Sequence, residues 1–208
     1  MSSILLIGST GLVGRQVLRL ALAHPEIDRI VTPVRSDLPP HPKVTAPRVD
    51  FEHLPEEAPW WRADAVICTL GTTMRIAGSK EAFRRVDHDY VLQAATLARR
   101  AGTAVFALNS SVGADVDAGS FYLRVKGETE RDLGALGFTS LTCVRPSLLD
   151  GGPRPDRRPA EFAALMLARW LRPLIPRHYR AVRTEVVAGL LLEAALDAPP
   201  GIHIVTPG

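Results

Sequence analysis

The chain has 208 residues, 46% hydrophobic and 23% charged, with a formal net charge of +3. That length and balance suit one globular domain with a sizeable core. So small a positive excess falls short of a nucleic-acid footprint, and the most apolar late stretch, 162–175, is cut by Arg169, Arg172 and Pro173 well before the ~18 residues a membrane span needs. The expectation is therefore no nucleic-acid partner and no membrane insertion. The first residues lack the basic leader of a secretory signal, which sets the expectation of a cytoplasmic protein. Cys68 and Cys143 sit inside apolar runs and read as buried free thiols. The six histidines are scattered, and no metal site is expected.

Residues 4–7 form a β-branched apolar run that reads as a strand buried on both faces. Gly8, Gly11 and Gly14 follow, with Ser9, Thr10, Leu12 and Val13 between them, and Val13, Val17 and Leu18 then recur at helical spacing. Strand, glycine turn and helix in that order make a dinucleotide clamp. The first glycine permits the tight turn, the second lets backbone approach a pyrophosphate, and the third lets helix pack on strand. The free N–H groups of the helix start face the phosphates.

Residues 29–34 read as a second strand ending at Arg35. The residue there meets the adenosine ribose in such folds: an acid accepts from a 2′-hydroxyl, whereas an arginine pairs with a 2′-phosphate. Arg35 argues for NADP, and Asp37 is the competing candidate for an NAD-type contact. The proline-dense stretch 37–47 excludes a helix, and 44–50 supplies at most a short third strand. Asp50 and Phe51 follow; in folds of this kind that position lies near the adenine, which Asp50 could bond and Phe51 pack on, and a surface loop is the alternative. Trp60 and Trp61 read as a packing plug or as the contact of a homodimer.

A fourth strand, 65–70, carries Thr69 and Leu70 to its carboxyl end, where Gly71 lets a ligand lie against backbone. Ser79 caps a helix through Phe83 and Val86 that continues over 87–100 and ends at Gly102. Within it Asp87, His88 and Asp89 point in different directions, so the cluster is structural, with Asp87 bracing a loop. The fifth strand, 103–108, runs into Asn109, Ser110 and Ser111. A helix from Phe121 to about Gly137 follows, then a sixth strand, 141–145, stopped by Pro146. Beyond it are a loop at 151–159, helices at 160–171 and 184–197, and a last strand at 202–205. Strands and helices alternate throughout, which predicts a doubly wound α/β domain with a mainly parallel sheet.

Tyr122 and Lys126 stand four apart on one helix, so both project from the same face. A neighbouring ammonium favours the phenolate of a tyrosine, which can then move the proton of a carbonyl or alcohol oxygen. Lysines occur only at 43, 80 and 126, so this one is conspicuous. A hydroxyl from Ser110 or Ser111 could bond the same substrate oxygen.

In Gly8-x-x-Gly11-x-x-Gly14, Asp50-Phe51, Leu70-Gly71-Thr72-Thr73, Ser110-Ser111, Tyr122-x-x-x-Lys126 and Arg145-Pro146, the chain resembles the short-chain dehydrogenase/reductase superfamily. The likeness is to its extended or atypical NAD(P)-binding branch, which includes the Tat-interacting oxidoreductase-like proteins. The resemblance implies a single Rossmann-type domain over 1–208, with about 146–208 contributing a small substrate cap. It implies an NADP site lined by Gly8 to Gly14, Arg35, Leu70, Tyr122, Lys126, Pro146 and Leu148. Tyr122 would be the acid or base and Ser111 or Ser110 the polarising hydroxyl. The function expected is an NADP(H)-dependent oxidoreductase acting on a small carbonyl or alcohol. A non-catalytic NADP(H)-binding regulator or sensor is the alternative. Arg154, Arg157 and Arg158 form a loop that is either solvated or closes over an anionic substrate. A basic and apolar segment, 170–179, is a further candidate for peripheral membrane contact, which Pro173 and Pro176 oppose by breaking an amphipathic helix.

Overall fold

The computed structural model describes residues 2–150 and 181–207. Its centre is a seven-stranded sheet with every neighbouring pair parallel. The strands are β1 (Ser2–Ile7), β2 (Ile27–Val31), β3 (Val44–Thr45), β4 (Ala65–Cys68), β5 (Val105–Asn109), β6 (Ser140–Val144) and β9 (Gly201–Val205), in the order β3-β2-β1-β4-β5-β6-β9. A separate pair joins β7 (Leu149–Asp150) to β8 (Val182–Arg183).

The apolar runs explain the layers. Ile4 and Leu6 of β1 pack with Val13 and Val17 of α1 (Leu12–Ala23) and with Val187 and Leu191 of α6 (Thr184–Asp197). Leu5 and Ile7 point to the other side, into the cluster that also holds Val91 and Ala95 of α4 (Tyr90–Arg100) and Leu133 of α5 (Phe121–Ala135). A strand covered on both faces must be apolar at every position, which is why β1 and β4 show no alternation. Each such buried side chain contributes about 1.5–3 kcal/mol. The strand order reverses between β1 and β4, and the crevice outside the carboxyl ends at that point is where open α/β sheets bind ligands.

The second strand stops at Val31 rather than running through 34, because Pro33 has no N–H for the ladder. Pairing resumes only as a single bridge between Val34 and Arg48, and the third strand shrinks to Val44–Thr45. The fourth ends at Cys68, whose register partner Ile7 is the last residue of β1; Thr69 N–H still donates to Ile7 O at 2.8 Å, and its hydroxyl lies 3.1 Å from the carbonyls of Ile7 and Gly8. Ser79 caps as expected, its hydroxyl accepting from Ala82 N–H at 3.1 Å. It opens α3 (Lys80–Arg84), which follows the one-turn α2 (Met74–Ala77) and leads through a π-helical turn, Arg85–Asp89, into α4.

Trp61 is fully buried and donates its indole N–H to Pro55 O at 2.7 Å, the packing-plug role. Both cysteines are free and buried, Cys68 pushed up to about 11 and Cys143 to about 12, in each case first by burial. Toward the end of the chain, α6 packs on α1 and β9 adds the seventh strand. The expected loop at 151–159, helix at 160–171 and basic segment at 170–179 lie outside the described residues. Among the described residues no helix is long and apolar enough to cross a membrane.

Candidate functional site

The glycine turn is as tight as its spacing requires. Gly8 has a φ of +88°, and a Cβ there would lie 2.7 Å from Leu70 N and 2.8 Å from Thr69 C, so any side chain would collide with the end of β4. A Cβ on Gly14 would lie 2.1 Å from Gly8 O and 2.7 Å from Thr69 Oγ1, so only glycine lets α1 seat on the turn. Gly11 opens α1 with an extended backbone, no side-chain cap and no acid in the first turn. The N–H groups of that turn are left for an anionic ligand. Gly11, Leu12 and Val13 line a cleft of about 1090 Å³. Gly8 and Gly14 shape the turn behind them. Ser9 is turned inward, accepting from Thr32 Oγ1 at 2.6 Å, and Thr10 is exposed outside the lining.

The same cleft takes in Arg35, Asp50, Phe51, Thr69, Leu70 and Gly71. Arg35 is exposed, with no ion-pair partner among the described residues, whereas the rival Asp37 is exposed outside the lining. Asp50 is engaged by its own turn. Its Oδ1 accepts from Glu52 N–H at 3.0 Å and its Oδ2 lies 3.2 Å from His53 Nδ1, and the Glu52 N–H, then His53, hold the carboxyl below its usual range. Phe51 is buried against Tyr90, ring centres 5.8 Å apart. The Tyr90 phenol donates to Glu52 and is pushed up to about 12, first by burial and then by that bond.

At the other end α5 brings Tyr122 and Lys126 to the cleft from one helix face. The Tyr122 ring leans on Phe83, centres 5.5 Å apart. Lys126 is buried, and its Nζ lies 2.8 Å from Asp87 Oδ1. Asp87 Oδ2 accepts from Thr72 N–H at 2.7 Å, so the loop-bracing role holds and a second role joins it. Burial alone pushes the Lys126 ammonium down, but the pull of Asp87, then of Tyr122, and the hydrogen bond to Asp87 outweigh it, and the net direction is up. The π-helical turn carries Asp87 inward while His88 bridges to Asp132 on α5 at 2.9 Å and Asp89 stays exposed. Gly71 lies over the pair: a Cβ there would be 3.2 Å from Asp87 Oδ1 and 3.7 Å from Lys126 Nζ.

Ser110 lines the cleft and donates its hydroxyl to Glu130, whereas Ser111 lies outside the lining with its hydroxyl 3.4 Å from Val112 O. Pro146 and Leu148 line the wall between β6 and β7, and Pro146 O accepts from Val112 N–H at 2.9 Å. Sequence reasoning missed Asn109, Thr73 and Tyr90, which also line the cleft. Asn109 had a usable signal, standing at the carboxyl end of an apolar strand where ligands collect. Its Oδ1 is buried with no partner among the described residues. Asp87 was assigned a loop, but its pairing with Lys126 had no local signal. The arrangement as a whole can hold a long anionic ligand along the strand ends and offer one of its ends a phenol, an ammonium and a hydroxyl.

No protein-family model matches the chain. It is 38% identical over 178 residues to the mitochondrial protein Fmp52 of Emericella nidulans, covering 81% of this chain and 75% of that one. It is also 38% identical over 167 residues to HTATIP2 of Rattus norvegicus, covering 78% of this chain and 68% of the other. Among solved structures it matches MoeE5 in complex with UDP-glucose and NAD, with a TM-score of 0.74 at 16% identity over 99% of this chain and 76% of that one, a likeness of fold. The expectation of a cytoplasmic protein is corrected by these relatives: Fmp52 of Emericella nidulans and of further fungi is named a mitochondrial protein.

Proposed function

Since this chain belongs to the short-chain dehydrogenase/reductase superfamily, in the extended and atypical branch that holds Fmp52 and HTATIP2, we propose that it is an NADP(H)-dependent oxidoreductase acting on a small carbonyl or alcohol. The observation that carries the reading is that the glycine turn, Arg35 and the Tyr122–Lys126 face open into one cleft. The cradle suits a pyrophosphate, because Gly8 and Gly14 leave no room for a Cβ and the first turn of α1 is uncapped. Arg35 would take the 2′-phosphate, and Phe51 would pack on the adenine.

When bound, the dinucleotide supplies or accepts the hydride at its nicotinamide. Tyr122 gives its phenolic proton to the carbonyl oxygen in reduction and removes the alcohol proton in oxidation. Lys126, kept charged by Asp87, holds the ribose and the electrostatics around the phenol. Ser110 meets the substrate oxygen from β5.

The test is a fluorescence titration of purified protein with NADPH and NADH, followed by NADPH oxidation against a panel of aldehydes and ketones. Binding of NADPH and turnover that falls by about a hundredfold or more in Tyr122→Phe are expected. Indifference to both nucleotides would sink the reading. Tight NADPH binding with no turnover, unchanged in Tyr122→Phe, would instead identify a cofactor sensor.

A further inference from the structure

The hydroxyl of Ser110 is already committed when a substrate arrives. Ser110 is almost fully buried at the end of β5 and lines the cleft, and its Oγ is hydrogen-bonded to Glu130 Oε1 on α5. The same carboxylate is clamped by Arg145 at the end of β6. Arg145 Nε lies 3.0 Å from Oε1 and 3.2 Å from Oε2, and Nη2 lies 2.6 Å from Oε2. A carboxylate in such an ion pair can only accept hydrogen bonds, so the Ser110 proton points to Glu130. What Ser110 turns to the cleft is therefore its lone pairs.

That polarity selects between the two members of a carbonyl and alcohol couple. A carbonyl oxygen brings only lone pairs, whereas an alcohol brings a proton that Ser110 can accept. Lone pairs facing lone pairs with no water between them are unfavourable, and an unmatched polar contact in a closed site lowers affinity. We propose that Glu130, braced by Arg145, is a positioning residue that holds Ser110 as a hydrogen-bond acceptor, so that the site recognises the hydroxyl form of its substrate, a primary or secondary alcohol, over the carbonyl form. The inference rests on the oxidoreductase reading and goes beyond it, naming the preferred form of the substrate. Tyr122 is then the donor left for a carbonyl oxygen.

Glu130→Gln separates this role from a structural one. The donors of Arg145 claim the amide oxygen, the amide N–H₂ donates to Ser110, and the serine proton swings into the cleft.

The experiment uses the full chain loaded with NADPH for alcohols and NADP⁺ for ketones, so that neither complex reacts. It is titrated with cyclohexanol against cyclohexanone and 1-phenylethanol against acetophenone. The wild type is expected to hold each alcohol about three- to tenfold more tightly than its ketone, the worth of one hydrogen bond. Glu130→Gln weakens the alcohols and tightens the ketones. In Ser110→Ala the preference vanishes, and adding Glu130→Gln moves it no further. Equal weakening of both members in Glu130→Gln, which is what a merely structural role gives, overturns the proposal. So does a Glu130→Gln effect that survives in Ser110→Ala, a wild-type preference for the ketones, or binding of neither member by nucleotide-loaded protein. Failure of the wild type to bind any nucleotide is a separate result, which removes the oxidoreductase reading and this inference with it.

Discussion

Lys126 Nζ and Asp87 Oδ1 are 2.8 Å apart, and both side chains are almost wholly out of solvent. The pair joins the helix that bears Tyr122 to the loop after β4, because the second Asp87 oxygen takes the Thr72 N–H. Lys126 is raised above its ordinary value in the folded chain, so its contribution to stability is fully present below the unfolded lysine range of ~10.4 and is lost only as pH rises through the higher folded value.

Asp87→Asn removes the anion and leaves a buried cation. We predict a loss of about 3 to 5 kcal/mol at pH 7 by chemical denaturation. In the variant, burial acts on Lys126 without its counter-charge, so the folded value falls below the unfolded one and stability rises with pH. The gap from wild type should narrow between neutral pH and ~10. A gap that is constant across that window would show that the charge of Lys126 is not what Asp87 supports.

Gly14→Ala drives a methyl group into Gly8 O and Thr69 Oγ1. The expected cost is about 1–3 kcal/mol or more, with loss of NADPH binding. Gly119 has open space around its missing Cβ, so Gly119→Ala is the control and should stay within about 0.5 kcal/mol of wild type. Parallel urea titrations of the two variants check this.

Arg35→Ala should weaken NADPH by about ten- to a hundredfold and leave NADH nearly unchanged, since a charge-assisted hydrogen bond to the 2′-phosphate is worth about 1.5–3 kcal/mol. Fluorescence titration of both nucleotides reads it. Equal loss for the two would take Arg35 away from the ribose.

Cys68 and Cys143 are buried and their thiols are raised to about 11 and about 12. At pH 8 neither should react with a maleimide in native protein, and both should react at once in denaturant. Mass spectrometry counts the adducts. Rapid native labelling of either would mean that the core opens locally.

The nucleotide turn, the alternating fold and the Tyr122–Lys126 face were legible because each is written in neighbouring residues: an apolar run, a glycine interval, a four-residue helical spacing. Helix α6 was read from Thr184 to Asp197, as observed, for the same reason. The Asp87–Lys126 and Ser110–Glu130–Arg145 contacts were not legible, because they join elements brought together only when parallel strands align. Pro33 was visible, and its missing N–H was reason enough to end the second strand early. The cellular address was illegible for a different reason: the composition of residues 1–7 does not fix where a chain goes, and the names of the relatives corrected the expectation.

The packing of α6 on α1 has a kinetic consequence. Val13, Val17 and Ala21 on the inner face of α1 share their cluster with Val187, Ala188 and Leu191, which lie near the other end of the chain. The glycine clamp precedes, by most of the described residues, the helix that covers its support, so α1 stays half-covered until α6 has docked. Contacts of such long sequence separation slow folding and leave apolar surface open meanwhile. A chain stopped after Asp150 should bind hydrophobic dyes and no dinucleotide, so competence for the ligand waits on α6 even though the residues that cradle it stand far ahead of it in sequence.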